Sequence, residues 1–398
     1  MITDISLAEA QQILRESITP LPAELVRIDD AYGRTAAHDI YATDHVPPVA
    51  QAAVDGFALH QDDLQELSPV VIKYYLPFGH TVTENLKPGE TVGILTGAPV
   101  PPGTAAVIPH EQVHIEKNAF ILPKPIHPNW NIKQPGEDLA KGDMLAKAGT
   151  RITGGLVSAL TACGISQVLV YKKPRVAILG LAPHVVSMPE LIGSGQIPDS
   201  NSPLLKYLVS RDGGTISGHF SPWLENNDIK ANLLAQTDLI ITVGGTYATD
   251  ECEALDLLRK WQATPLFWGV KMQPGSHTGA AMLGNTPILC LAGNPAACAV
   301  GYELIASRAI RQMQGLTSKS SRITAVCRNA FTFSPQAVPR FLRAKTYWSE
   351  DGWVAEILPG QKSSMIHSLI DYNALIEIPE GQSELSAGSP VTLILTGQ

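Results

Sequence analysis

Between Ser6 and Ile18 the apolar residues Leu7, Ala10, Ile13 and Leu14 recur on a 3.6-residue beat, which predicts an amphipathic helix. Ser6 and Glu9 stand at capping-box spacing at its start. A second helical pattern, "TGGLVSALTAC", ends at Gly164 and leads into the strand-like "QVLVYKKP". From about 40 to 142 the texture changes to short apolar runs such as "VVIKYYL", "TVGIL" and "AAVI", punctuated by prolines. That describes a β-rich domain with many turns. Residues 174–315 alternate differently. "RVAIL", "DLIIT" and "ILCLA" are unbroken apolar runs, as parallel strands covered on both faces tend to be. Between and after them lie helical segments. "SNSPLLKYLVSRDGG" offers Ser202 as N-cap, Pro203 in the first turn and Gly213 as a stop. "NPAACAVGYELIASRAI" follows the third strand. Beyond about 320, "RITAVCR", "FLRAKTYW", "WVAEIL", "ALIEIP" and "VTLILTG" predict a small all-β domain.

The pattern therefore predicts a multidomain α/β plus β chain. A discontinuous, elongated helical domain takes residues 1–40 with 143–172, and a proline-rich β domain takes 41–142. An α/β domain with a mostly parallel sheet takes 173–318, and a β domain takes 319–398. At 398 residues the chain is long enough for several such units. Twenty-nine basic against 37 acidic residues give a net charge of −8, which excludes a general nucleic-acid binder. A local anion site is still compatible with that balance. The five cysteines are scattered and never spaced as C-x-x-C, which argues against a disulfide framework or zinc ribbon and for a reducing compartment. The start "MITDISLAEAQQILRES" has neither the basic end nor the apolar core of a signal peptide. No apolar run approaches the roughly 18 residues that span a bilayer. The expectation is a soluble, cytoplasmic protein.

Ligands of open α/β sheets bind beyond the carboxyl ends of the strands. Three turns meet that criterion: "LGLAPH", "VGGTYATDE" and "AGNPAACA". Gly244, Gly245 and Gly293 let backbone approach a ligand, while Thr246 and Asn294 add donors, so a phosphorylated ligand is expected there. The plainer alternative for any one of these turns is tight chain reversal. The loop after Gly245 also carries Tyr247, Thr249, Asp250, Glu251 and Cys252. Cys252 reads either as a core-lining cysteine or as a thiol activated at a helix start. "HEQVH", His110 to His114, matches a zinc-protease motif that requires both histidines on one helical face. Here Pro109 and the flanking valines and isoleucines read as strand, which would hold the two histidines about 13 Å apart, so zinc is not expected. Asp55 precedes Gly56, and Glu137 and Asp138 follow Gly136. Alone these are turn carboxylates; converging on a pocket, they would suit Mg²⁺ or the polar parts of a substrate.

Taken together, "VDGFAL", "GILTGAPVPPGTAAVIPHE", "NIKQPGEDLAKGDMLAKAGTRIT", "GSGQIPDSN", "IITVGG" and "LAGNPAACA" resemble, in order and spacing, the molybdopterin molybdenumtransferases. This is the MoeA family, related to the E domain of gephyrin. The resemblance runs across nearly the whole chain. It implies four domains, including a molybdopterin-binding α/β domain and a C-terminal β-barrel, in a subunit that forms a homodimer. It also implies insertion of molybdate into adenylated molybdopterin, with Mg²⁺ and release of AMP. Pterin and molybdate would be the small-molecule partners, and other cofactor-synthesis proteins or molybdoenzymes the macromolecular ones.

Carried over by position, Asp55 matches the aspartate of the family's Met-Asp-Gly-Tyr-Ala, Thr96 and Gly97 its Thr-Gly-Ala, and Glu137 and Asp138 its Gly-Glu-Asp. Lys133 stands where the family often has arginine. Gly244, Gly245, Gly293 and Asn294 match turns flanking the pterin-phosphate pocket, and Ser363 matches the serine of its Gln-Gly-Ser. The resemblance thus assigns Asp55, Glu137 and Asp138 to catalysis, with Asp55, Asp138 and Asp250 as metal ligands. Where the family has Thr-Gly-Asp-Glu-Leu, this chain has Leu181, Ala182, Pro183, His184 and Val185. Cys252 falls at a family aspartate. Gln273 and Ser276 replace two lysines, with Lys271 nearby. The departures keep a second expectation open, a non-catalytic paralogue that binds molybdopterin or its cofactor as a carrier or assembly partner. A different phosphate-ligand enzyme on the same scaffold is a third.

Overall fold

The computed structural model describes residues 2–77, 79–80, 82–188, 193–220, 233–247, 252–316 and 322–397. Its α/β layer is a seven-stranded sheet. In spatial order the strands are Ile2–Ser6, Thr264–Lys271, Gly279–Leu283, Thr286–Leu291, Leu239–Val243, Arg175–Gly180 and Thr215–Phe220. Gly279–Leu283 pairs antiparallel with both of its neighbours, and the other pairings are parallel. The runs read as parallel strands are therefore parallel, and Leu239–Val243 is buried at every position because helices and loops cover both faces.

The first strand departs from expectation. Ile2–Ser6 adds to the edge of this sheet beside Thr264–Lys271. The following helix, Leu7–Ser17, buries Ala10 and Leu14 in the same core as Ile310 and Met313. Residues 2–17 thus belong with the α/β layer rather than with 143–172, because that layer offers both an open strand edge and an apolar groove. The capping box forms as read: the Ser6 hydroxyl accepts from the Glu9 N–H at 3.2 Å, and the Glu9 carboxylate accepts from the Ser6 N–H at 2.8 Å.

Another cap shifts. The helix expected to start after Ser202 spans Asn201–Arg211. Asp199 supplies the capping oxygen instead, accepting from the N–H groups of Asn201 and Ser202 at 3.0 Å each. A carboxylate taking two donors at the positive end of a helix outcompetes a hydroxyl.

Ala23–Arg27 pairs with Gln167–Tyr171, and the helix Gly154–Ala162 lies beside them over a core of Ile28, Ile152, Leu160 and Val170. The proline-rich region forms a five-stranded sheet in the order Thr104–Pro109, Gly56–His60, Glu90–Ile94, Pro69–Tyr75, Ala119–Ile121. At the carboxyl end, Arg322–Cys327, Gly352–Ile357, Arg340–Ser349, Ala374–Ile378 and Pro390–Leu395 close into a barrel. No described helix is long and apolar enough to cross a membrane.

Candidate functional site

The carboxyl ends of Arg175–Gly180, Leu239–Val243 and Thr286–Leu291 meet around a cavity of about 190 Å³. Gly180, Ala182, Asn201, Gly244 and Gly293 contribute to its wall. Gly244 has φ +80° and donates its N–H to Leu291 O at 3.0 Å. A β-carbon on Gly293 would lie 3.2 Å from Gly244 Cα, a tight contact that the facing turn would have to shift to admit, while the positive φ of Gly244 itself favours glycine. Asn201 donates to Gly293 O at 2.7 Å, which leaves its own side-chain oxygen buried without a partner. The Thr246 hydroxyl, directly after Gly245, is also buried and unpartnered. Unsatisfied polar atoms at strand ends are costly in a folded protein, and a polar ligand would relieve that cost.

Of the loop that follows, Asp250, together with Thr249 and Glu251, lies outside the described residues. Cys252 is buried at the N-cap of the helix Glu253–Trp261. The carboxylate that packs against the glycine turn is Glu253, which sequence reasoning passed over. A β-carbon on Gly245 would lie 2.9 Å from Glu253 Cβ, and one Glu253 oxygen is buried without a partner.

Ser363 arrives from the carboxyl-terminal region. Its carbonyl accepts from the Ala296 N–H at 3.0 Å, and its hydroxyl lies 3.4 Å from the Asn294 amide nitrogen. It also lines a larger cavity of about 580 Å³ between Gln273–Pro274 and the barrel. Arg340 and Arg343 reach this cavity, and no motif had marked either of them. Gln273, which replaces a family lysine, accepts from the Arg340 guanidinium at 3.1 Å. An arginine thus carries positive charge beside that substitution. Lys271 ends the Thr264–Lys271 strand opposite Ser6. The Ser6 hydroxyl and N–H hold Glu9 below its usual range, and Lys271 adds a smaller pull.

Asp55, Thr96, Gly97 and Lys133 come together in the proline-rich domain. Asp55 Oδ1 accepts from both the N–H and the hydroxyl of Thr96, each at 2.7 Å. These bonds, the backbone one first, hold the Asp55 carboxyl below its ordinary range. Gly97, at φ +82°, donates to Ala52 O at 2.8 Å. Gln51–Ala52 in turn pairs with Ile132–Lys133. The next turn places Glu137 and Asp138 on the surface. The Glu137 carboxylate accepts from Gln134 N–H at 2.8 Å, and the Asp138 N–H donates to Val46 O at 3.0 Å. Burial, then the charges of Asp44 and Asp138, pushes the Cys163 thiol up.

The "HEQVH" motif forms neither a helix nor the strand expected of it. His110–Gln112 is a single 3₁₀ turn, and Val113 is already extended. His110 stacks on Phe57 at 5.3 Å, and His114 pairs with Glu116 at 3.3 Å. Among the described residues no three His, Cys, Asp or Glu side chains gather to hold a metal.

Three family profiles match in succession: "MoeA N-terminal region (domain I and II)" over residues 5–164, "Probable molybdopterin binding domain" over 183–312, and "MoeA C-terminal region (domain IV)" over 324–396. The chain belongs to the MoeA family. A molybdopterin molybdenumtransferase of Staphylococcus epidermidis is 27% identical over 99% of this chain and 96% of its own length. One of Staphylococcus aureus is 28% identical over 98% and 96%. Two crystal structures of the molybdopterin biosynthesis MoeA protein of Pyrococcus horikoshii superpose on 98% of the chain. Their TM-scores are 0.79 and 0.82, at 25% and 27% identity, with 100% and 99% of those chains covered. This MoeA chain therefore has the family's multidomain α/β plus β architecture, and its strand-end cavity lies in the span matched as a molybdopterin-binding domain.

Proposed function

We propose that this chain is a molybdopterin molybdenumtransferase of molybdenum cofactor biosynthesis, which inserts molybdate into adenylated molybdopterin and releases AMP. The observation that carries the reading is the succession of three MoeA-family matches along one chain whose strand-end cavity keeps its glycines and its unpartnered polar atoms. Gly244, Gly245, Thr246, Gly293 and Asn294 hold the pterin end of the substrate by close backbone approach. Asp55, kept ionised by Thr96, works with Glu137 and Asp138 to position molybdate and the reacting oxygens, and Lys133 balances charge there. Two Mo–S bonds form as the two dithiolene thiol protons leave with one molybdate oxygen as water, and a separate water cleaves the phosphate–phosphate linkage so that AMP leaves.

The fit to Mg²⁺ rests on carboxylate oxygens: Asp55 and Asp138, one or both, would hold it together with substrate phosphate and water, and it would supply charge neutralisation at the linkage. A homodimer that pairs the Asp55 and Gly244 groups across its interface is part of the proposal. A cytoplasmic setting goes with it.

The test is AMP release from adenylated molybdopterin by the purified chain with Mg²⁺, with and without molybdate. Molybdate-dependent release is expected. The apolar Leu181 and Ala182, and Cys252 buried at an N-cap, favour a second reading, a carrier that binds without turnover. Tight binding with no AMP released would replace the first reading by the second.

A further inference from the structure

The helix Ser307–Met313 carries Arg308 and Arg311, three residues apart and so neighbours on its surface. Leu7–Ser17 packs against it. Leu14 lies in one core with Ala309, Ile310 and Met313, and the Gln312 side chain donates to Arg15 O at 2.7 Å. Arg15 stands in the last turn of Leu7–Ser17, and Arg322 opens the barrel strand Arg322–Cys327. Two helices and the barrel therefore bring like charges to one place. Burial, then the charges of Arg322, Arg15 and Arg311, push the Arg308 guanidinium down to about 10. Burial lowers Arg311 as well; Asp212 pulls the other way, while Arg151 and Arg211 add to the lowering.

Arg15 and Arg322 have partners. The Arg322 guanidinium binds the Glu377 carboxylate at 2.9 Å, and that of Arg15 donates to the Gln12 side chain at 2.8 Å. Asp212, the one acid felt by Arg311, is already taken by Arg211 and Tyr302. Arg308 and Arg311 are left over. Among the described residues neither side chain makes a hydrogen bond or an ion pair. Both are half-buried, yet their nitrogens still reach solvent.

The plainer account is that cations gather at helix carboxyl ends, where the macrodipole is negative. It covers Arg15 and Arg311, which stand in last turns. It does not cover Arg308, one turn earlier. A half-buried cation held among like charges is costly, and an anion shared between two guanidinium forks removes that cost. None of the four arginines lines the strand-end cavity or the cavity beside the barrel.

We propose that Arg308 and Arg311, with Arg15 and Arg322 at the rim, bind a free tetrahedral oxyanion of the charge and shape of inorganic phosphate. The site is independent of the one that holds the pterin. Its anion braces the first helix and the barrel against the helix between them.

Calorimetric titration of the full chain with inorganic phosphate tests this, with melting temperatures taken in phosphate and in chloride of equal ionic strength. The wild-type chain should bind phosphate and melt higher in phosphate than in chloride. Methionine keeps the packing of the arginine stem and removes the fork. Arg308→Met and Arg311→Met should each weaken phosphate binding by about tenfold or more, the scale of losing a hydrogen-bonded charge. In chloride, Arg308→Met should melt no lower than wild type, because it removes a repelled cation. Arg308→Lys, which keeps the charge but not the fork, should bind phosphate with intermediate affinity. Folded Arg308→Met and Arg311→Met chains with wild-type phosphate affinity would overturn the assignment. So would equal melting of the wild-type chain in phosphate and chloride, which would reduce the effect to screening. Lys362→Met is the control for the cavity beside the barrel, which Lys362 lines. Phosphate binding lost in that variant and kept in Arg308→Met would place the anion there and sink the proposal.

Discussion

Asp55 takes two hydrogen bonds from a single residue, the N–H and the hydroxyl of Thr96, each 2.7 Å from the same carboxylate oxygen. One bond comes from the backbone and survives substitution by any residue other than proline; the other needs the hydroxyl. Thr96→Val should therefore move the Asp55 pKa upward, part of the way toward the ordinary value of about 3.9. A carboxyl-carbon NMR titration of the two proteins would show it, and an unmoved titration would rule out the hydroxyl as a contributor. The sign for stability follows. A carboxyl whose folded pKa is depressed contributes stability above its unfolded pKa and loses it as pH falls through the folded one. The wild-type advantage over the valine variant should thus be present at neutral pH and be lost in acid, as pH falls through the depressed folded value.

Asp138 is held in place by its backbone, through the N–H bonded to Val46 O at 3.0 Å, while its side chain faces solvent. Removing the carboxylate leaves that tether intact. Asp138→Ala should keep the melting temperature of the wild-type chain and lower molybdate-dependent AMP release by about a hundredfold or more, the scale of losing a charged group at a reacting centre. Release at the wild-type rate would take Asp138 out of the site.

Local pattern and long-range contact differ in how far the sequence exposes them. The capping box of Ser6 and Glu9, the buried run Leu239–Val243 and the five strands of the barrel each follow from residues close together in the chain, and each is found where it was read. Ile2–Ser6 fell within the span 1–40 grouped with 143–172, because its partner strand, Thr264–Lys271, is far away in sequence. Arg340 and Arg343 share the Arg340–Ser349 barrel strand and carry no motif. Only the fold brings them to Gln273 and Ser363. Glu253 was hidden differently. Alignment with the family's aspartate drew attention to Cys252 and to the residues before it, whereas the chain turns so that the next carboxylate faces Gly245.

Two glycines make opposite predictions from the same substitution. A β-carbon on Gly56 would sit 2.0 Å from Ile108 O, inside the pairing of Gly56–His60 with Thr104–Pro109, where backbone must move to admit it. Gly56→Ala should destabilise the chain by about 3 kcal/mol or more. Gly155, in the first turn of the helix Gly154–Ala162, has open space around its missing β-carbon. Gly155→Ala should stabilise by about 0.5–1 kcal/mol by restricting the unfolded chain. Denaturant unfolding of both variants checks the pair, and a Gly56→Ala protein as stable as wild type would contradict the close approach.

Arg211 joins two layers of the molecule through buried charge. Its guanidinium binds the Glu303 carboxylate at 2.8 and 2.9 Å and Asp212 at 3.1 Å. Tyr302 donates to Asp212 at 3.0 Å, and Tyr372, ahead of the barrel strand Ala374–Ile378, donates to Glu303 at 2.9 Å. Burial raises the Glu303 pKa, and Arg211 opposes that rise. Arg211→Met removes the opposition and leaves two buried carboxylates facing each other, a change that should cost about 3–5 kcal/mol at neutral pH. With the cation gone, the Glu303 carboxyl keeps its upward shift without opposition. The variant then binds more protons when folded, so its stability rises as pH falls through that raised value and is lost as pH rises through it. The deficit relative to wild type should therefore be smaller at pH 5 than at pH 8, and adding Glu303→Gln to Arg211→Met should recover part of it. A deficit equal at both pH values would mean that Arg211 stabilises by packing rather than by charge.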